Sequence, residues 1–109
     1  MNYVEHAGDL EEIAPSEEPA SFMRPATRII GPGEVVRLSE QSERVAGEAE
    51  LGLIIGREAK NVSEEEAPSL VAGLTTILDV TAEDILRKDP RYLTRAKSFD
   101  TFLASVHSS

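Results

Sequence analysis

At 109 residues the chain is long enough for one small domain. It is 40% hydrophobic but only 5% aromatic, with no Trp and no Cys. That predicts an aliphatic core and excludes a disulfide scaffold or a Cys-ligated zinc or iron–sulfur site. The net charge of −9 argues against nucleic acid as a partner, because phosphate binding needs a basic face. The longest apolar run, from Leu51 to Gly56, is too short to span a membrane, and the N-terminus shows no basic segment followed by an apolar one. No membrane association and no secretory signal are expected, and the location expected is cytoplasmic.

The acidic residues crowd the start of the chain, whereas residues 81–100 hold a cluster of Lys and Arg, the one stretch suited to attracting an anion. The three prolines of residues 12–25 predict an extended connector. "GPGE" at 31–34 predicts a turn, with Pro presetting φ and Gly free to take a positive one. A short strand is expected at 35–38, "VVRL", then a polar loop at 39–44. "ELGLIIG" at 50–56 is the strongest strand signal, an apolar run closed by Gly. Ser63 and Glu66 form a capping box ahead of an expected helix over 67–73, with Gly73 ending it and Pro68 bending its start. A second strand is expected at 74–80. Thr81 and Asp84 then predict a cap for a short helix over 82–88, stopped by Asp89-Pro90. Residues 94–102 are expected as loop or short strand.

Glu48 and Glu50 stand one residue apart at the mouth of the strongest strand. On a strand, residues i and i+2 share a face, so two carboxylates lie together where like charges repel. A hard divalent cation relieves that repulsion: magnesium takes oxygen ligands from one or two carboxylates and leaves positions for substrate oxygens. The plainer alternative is a solvated strand start. Asp79, closing a second apolar run, offers a third carboxylate if the two strands are neighbours. Such a set suits Mg²⁺ or Mn²⁺.

The segments "NYVEHAGD", "EPASFMRP", "GPGEVV", "EAELGLIIGREAKNVSEEEA", "VAGLTTILDVTAED" and "RAKSFDTF", in that order, resemble the fumarylacetoacetate hydrolase family. The resemblance runs to about Phe102 and implies an α+β, β-rich fold: part of a mixed β-roll domain with two short helices, occupying residues 1–109 without the domain's second half. It implies a metal-dependent enzyme acting on acylpyruvates or related 2-oxo acids by C–C hydrolysis, decarboxylation, isomerisation or hydration, with Mg²⁺ or Mn²⁺ as cofactor and a homodimer in the intact domain. By the same resemblance Glu48, Glu50 and Asp79 are the metal carboxylates. Lys97 stabilises developing enolate charge beside them, and Thr101 lies near the substrate. His6 is the general base for a water, with Asp9, where the family usually has Glu, as its partner.

Departures from the family pattern matter as well. Glu83 and Leu86 stand where many members carry Arg and Gln that hold the substrate, and Arg24 replaces the Lys of an F-x-K-P segment. After "FDTF" the expected GP turn is absent. The isolated chain is therefore expected to be weakly active or inactive. The alternative reading is a non-catalytic fragment that binds a divalent ion weakly or serves as an interaction module.

Overall fold

The strand signal around Leu51–Gly56 marks only part of a much longer element in the computed structural model, which describes residues 18–19 and 21–106. Strand β2 (Val45–Ile55) pairs antiparallel with β3 (Val71–Ala82) along its whole length, with one irregularity at Ile54/Ile55. β4 (Leu103–Val106) pairs antiparallel with the inner half of β3, and the two-residue β1 (Ile29–Ile30) adds parallel to β4. The sheet is mixed and ordered β1-β4-β3-β2. Two short helices, α1 (Glu83–Lys88) and α2 (Leu93–Lys97), lie between β3 and β4. The α+β, β-rich class expected from the sequence is the one observed.

Alternation along β3 divides its residues between two faces. Leu78, Val80 and Ala82 face the core, where Val80 and Ala82 pack with Ile85 of α1, Ala96 of α2 and Phe102 just before β4. Phe99 meets Phe102 edge-on at 5.3 Å between ring centres. The backbone of Val80 donates to the Phe102 carbonyl at 3.1 Å, so the turn after α2 is tied to the end of β3.

Four local expectations need correcting. Residues 35–38 form no strand: no neighbouring strand pairs with them, and Val35 and Leu38 are more than 70% exposed. The capping box does form, with Glu66 N donating to Ser63 Oγ and Ser63 N to Glu66 Oε2, each at 3.3 Å. It is followed only by a 3₁₀ turn at Ala67–Leu70, where Pro68 sits at the start. From Val71 the chain is extended, because the β-branched run that follows gains a full ladder against β2. Gly73 is therefore a strand residue, not a helix stop. Thr81 does not cap α1, whose N-cap is Ala82 without a side-chain bond. Of residues 94–102, placed in a loop or short strand by their mixed composition, 94–97 belong to α2. The turn at 31–34 is as expected, with Gly33 at φ 80° and Glu34 N donating to the Gly31 carbonyl.

Candidate active site

The β2–β3 register sets Glu48 directly opposite Asp79 and Glu50 opposite Ile77. Directly opposed residues share a face, with Cβ atoms about 4.5–5.5 Å apart. Glu48, Glu50 and Asp79 thus project from one face of the ladder, opposite to the core. Thr81, two residues beyond Asp79, joins them on that face.

Onto this face α2 brings its last residue. Lys97 is buried, 3% exposed, and its Nζ donates to Asp79 Oδ1 at 3.1 Å, to Asp79 Oδ2 at 3.0 Å and to Thr81 Oγ1 at 2.6 Å. Lys97 and Asp79 form a buried pair that neither polar group could occupy alone without a large desolvation cost. The proline-rich connector supplies the cover. The Phe22 ring lies 4.7 Å from Lys97 Nζ, close enough for a cation–π contact.

Arg24, from the same connector, closes the cluster. Its guanidinium donates to the carbonyls of Lys97 at 2.5 Å, Phe102 at 2.7 Å and Val80 at 3.1 Å, and it is also paired with Asp79. Five donors in a planar fork make this possible; a lysine in its place has three donors at a single point. Burial pushes the Arg24 pKa down to about 10, and the charge of Glu48 opposes that fall. Asp79 is therefore held between two cationic side chains. Among the described residues, no three His, Cys, Asp or Glu side chains are gathered closely enough to hold one ion.

The other residues singled out from the sequence are placed as follows. Thr101 takes a left-handed backbone, φ 68°, unusual for a β-branched residue, and its hydroxyl accepts a hydrogen bond from Arg37 N at 2.7 Å. Beside it, Arg37, Leu38, Ser39, Gln41, Phe99 and Asp100 line an open cleft of about 300 Å³. Glu83 accepts from Arg44 Nε at 2.6 Å, and Leu86 packs against the core. His6 and Asp9 lie outside the described residues. Sequence reasoning missed the place of Thr81 and Arg24 in the cluster. Thr81 was open to detection, since the i, i+2 rule that joins Glu48 to Glu50 also joins Asp79 to Thr81. Arg24 sits in a connector, where spacing carries no such information.

The family model described as "Fumarylacetoacetate (FAA) hydrolase C-terminal" matches residues 1–105. The chain belongs to the fumarylacetoacetate hydrolase family. An uncharacterized protein of Archaeoglobus fulgidus is 44% identical over 102 residues, which are 94% of this chain and 40% of that protein. A Xenopus laevis protein named "Oxaloacetate tautomerase fahd2, mitochondrial" is 41% identical over 104 residues, 94% of this chain and 32% of that one. The crystal structure of a 5-carboxymethyl-2-hydroxymuconate delta-isomerase from Mycobacterium smegmatis superposes with a TM-score of 0.78 at 38% identity, over 84% of this chain and 36% of the other. The chain thus spans less than half the length of these members of the fumarylacetoacetate hydrolase family. Among its described residues no helix is long and apolar enough to cross a membrane.

Proposed function

We propose that this face of the β2–β3 ladder belongs to a site that forms and stabilises the enolate of a 2-oxo acid, in keto–enol tautomerisation or double-bond isomerisation. The observation that carries the reading is the buried Lys97 Nζ, fixed by Asp79 and Thr81 on the face shared with Glu48 and Glu50. The names of the Xenopus and Mycobacterium relatives support the reaction class.

The donor set suits a hard divalent cation in type, three carboxylates and no thiolate, and Glu48 and Asp79 are register partners, although the three side chains are not drawn together around one point among the described residues. Glu48, Glu50 and Asp79 are the residues that would hold Mg²⁺ or Mn²⁺. When bound, the ion would supply Lewis acidity to the adjacent oxygens of a 2-oxo acid. Lys97 has a task of its own: an N–H donor held rigidly in a dry cluster favours negative charge developing on an enolate oxygen without reorganising. Phe22 shields that donor from water, which strengthens its effect.

Hydrolysis of the C–C bond of acylpyruvates uses the same enolate as leaving group and needs in addition a base to activate water. The segment "NYVEHAGD" favours this second reading, with His6 as base and Asp9 as its partner.

The test follows the ultraviolet absorbance of enol-oxaloacetate and of acetylpyruvate, with Mn²⁺ present. It uses the 109-residue chain and the same chain joined to the remainder of a longer family member. The joined protein is expected to accelerate at least one reaction, and Lys97→Met is expected to lower the rate by about 10²-fold or more, as for loss of one preorganised donor. A joined protein that folds, binds Mn²⁺ and accelerates neither reaction would refute the enolate assignment.

A further inference from the structure

The open cleft beside Thr101 shares no residue with the Lys97 cluster. One side is formed by residues 37–41 and the other by Phe99 and Asp100. Both sides are fixed in place. Arg37 N donates to Thr101 Oγ1 at 2.7 Å. Gln41 N donates to Ser39 Oγ at 3.1 Å and Ser42 N to the Ser39 carbonyl at 3.2 Å, which makes 39–42 a tight turn. Glu43 N then donates to Asp84 Oδ2 at 3.1 Å and ties that turn to α1. Across the cleft Phe102 N donates to the Phe99 carbonyl at 3.2 Å, and the Phe99 ring meets Phe102 edge-on. Thr101 holds its bond to Arg37 from a left-handed backbone that disfavours a β-branched residue. Strain of this kind persists only where the surroundings over-determine it, and ligand clamps are among the places where it collects.

The lining is uneven in its chemistry. Phe99 and Leu38 supply apolar surface, and Leu38 is left 71% exposed. Asp100 is paired with Arg28. Arg37 is exposed, and the ion pairs among the described residues give it no carboxylate. A cation without a counter-charge, in a chain of net charge −9, therefore faces an apolar surface across a preformed cleft.

We propose that this cleft binds a small amphipathic carboxylate, with its carboxylate on the Arg37 guanidinium and its apolar body, a single aromatic ring, against Phe99 and Leu38. A planar guanidinium matches a carboxylate with two parallel bonds. An aromatic ring offers Phe99 the edge-to-face or offset contact that such rings prefer. The volume of about 300 Å³ lies at the lower end of ligand sites, which suits a one-ring molecule rather than a dinucleotide. The site is independent of the enolate reading: it uses no metal, neither Lys97 nor Arg24, and none of the carboxylates on the β2–β3 face.

The test is binding of phenylacetate to the 109-residue chain without metal. It is measured by titration calorimetry and by saturation transfer to the ring protons of the ligand, with circular dichroism as the check on folding. Wild type is expected to bind saturably, with transfer to the ring. Acetate lacks the ring and benzyl alcohol lacks the charge, and each is expected to bind at least about tenfold more weakly. Arg37→Gln is expected to weaken phenylacetate binding at least about tenfold, as loss of a charged hydrogen-bond partner does. Arg57→Gln removes a like charge beyond the far end of β2 and is expected to bind as wild type does. No saturable binding to wild type, or equal binding by folded Arg37→Gln, would overturn the proposal. Acetate binding as tightly as phenylacetate would overturn the amphipathic class. Binding that survives Arg37→Gln and is lost in folded Lys97→Met would put the anion in the Lys97 cluster and overturn the proposal as well.

Discussion

At the scale of single residues, the site depends on how one carboxylate is shared. Asp79 is 7% exposed and is held by both Lys97 and Arg24. Lys97→Met strips Asp79 and Thr81 of their shared hydrogen-bond donor while Arg24 keeps Asp79 paired, so it is expected to lower stability by about 1–3 kcal/mol in urea melts. The double variant Lys97→Met/Asp79→Asn should lose less than the sum of the two single variants, because the Lys97–Asp79 bonds are lost once in it and counted twice in the sum. A double variant as unstable as the sum of its parts would show that Lys97 and Asp79 act independently. Asp84 offers a pH test away from the site. Its carboxylate accepts from Ser42 Oγ at 2.5 Å and from Glu43 N at 3.1 Å, and these bonds, the Ser42 hydroxyl first, lower its pKa from the ordinary 3.8. A folded-state pKa below the unfolded one contributes stability that is fully present above the unfolded value and is lost as pH falls through the folded value. Ser42→Ala should therefore unfold at lower urea than wild type at pH 7, and the gap should close in acid below 3.8. An equal gap at both pH values would assign the effect to packing. At this scale the sequence was informative where strand period applies: Glu48, Glu50 and Asp79 do share a face. It marked Arg24 only as a departure from the family pattern, since the role of that residue comes from a connector folding back onto residues more than fifty positions away.

At the scale of elements, the β2–β3 ladder is what aligns the carboxylates, and Gly52 shows how closely it is packed. A Cβ at Gly52 would lie 2.5 Å from Ile77 Cδ1 and 2.8 Å from Thr75 Cγ2. Ile77 is the register partner of Glu50, so any shift of its side chain is felt beside the candidate site. Gly52→Ala is expected to cost about 1–3 kcal/mol through overpacking, read as a lower urea midpoint. Gly33→Ala fails for a different reason: the space is open, but φ 80° is a left-handed conformation that a Cβ disfavours. If Gly52→Ala were as stable as wild type, the register itself would be in question. Long elements were legible because both β2 and β3 carry long β-rich runs. The short ones were not. A true capping box at Ser63 and Glu66 precedes residues 67–73, yet the ladder offered by β2 outweighs the helix that the box would start. Residues 93–97 have no clear period, and α2 forms because Ala96 reaches the core while Lys97 reaches Asp79.

At the scale of the whole molecule, the sheet is finished at one end and open at the other. Leu51, Leu53 and Leu74 lie on the same face as the core residues Leu78 and Val80, but are 65%, 57% and 65% exposed. Ile54 and Ile55 add to the exposed apolar surface, and β2 is an edge strand of the described sheet. A long apolar edge of this kind is a template for association, and no Lys, Arg or Pro interrupts β2 to discourage it. The relatives, more than twice as long, have further chain available to cover such a surface. The 109-residue chain alone is therefore expected to self-associate, with a sedimentation coefficient that rises with concentration and a shallow urea transition. Leu51→Lys/Leu53→Lys places charge on the exposed stripe outside the Lys97 cluster, and should shift the chain toward monomer without removing Asp79 or Lys97. Activity and association then become linked through one cause. Enolate stabilisation needs Lys97 held rigidly, and small misplacements of a catalytic group cost about 10²-fold in rate. The chain alone should accordingly turn over oxaloacetate and acetylpyruvate slowly or not at all, even with Mn²⁺. A wild-type chain that sediments as a single monomer, melts cooperatively and turns over either substrate, with loss of turnover in Glu50→Ala and Lys97→Ala, would show that the open half of the sheet needs no cover to make the site work.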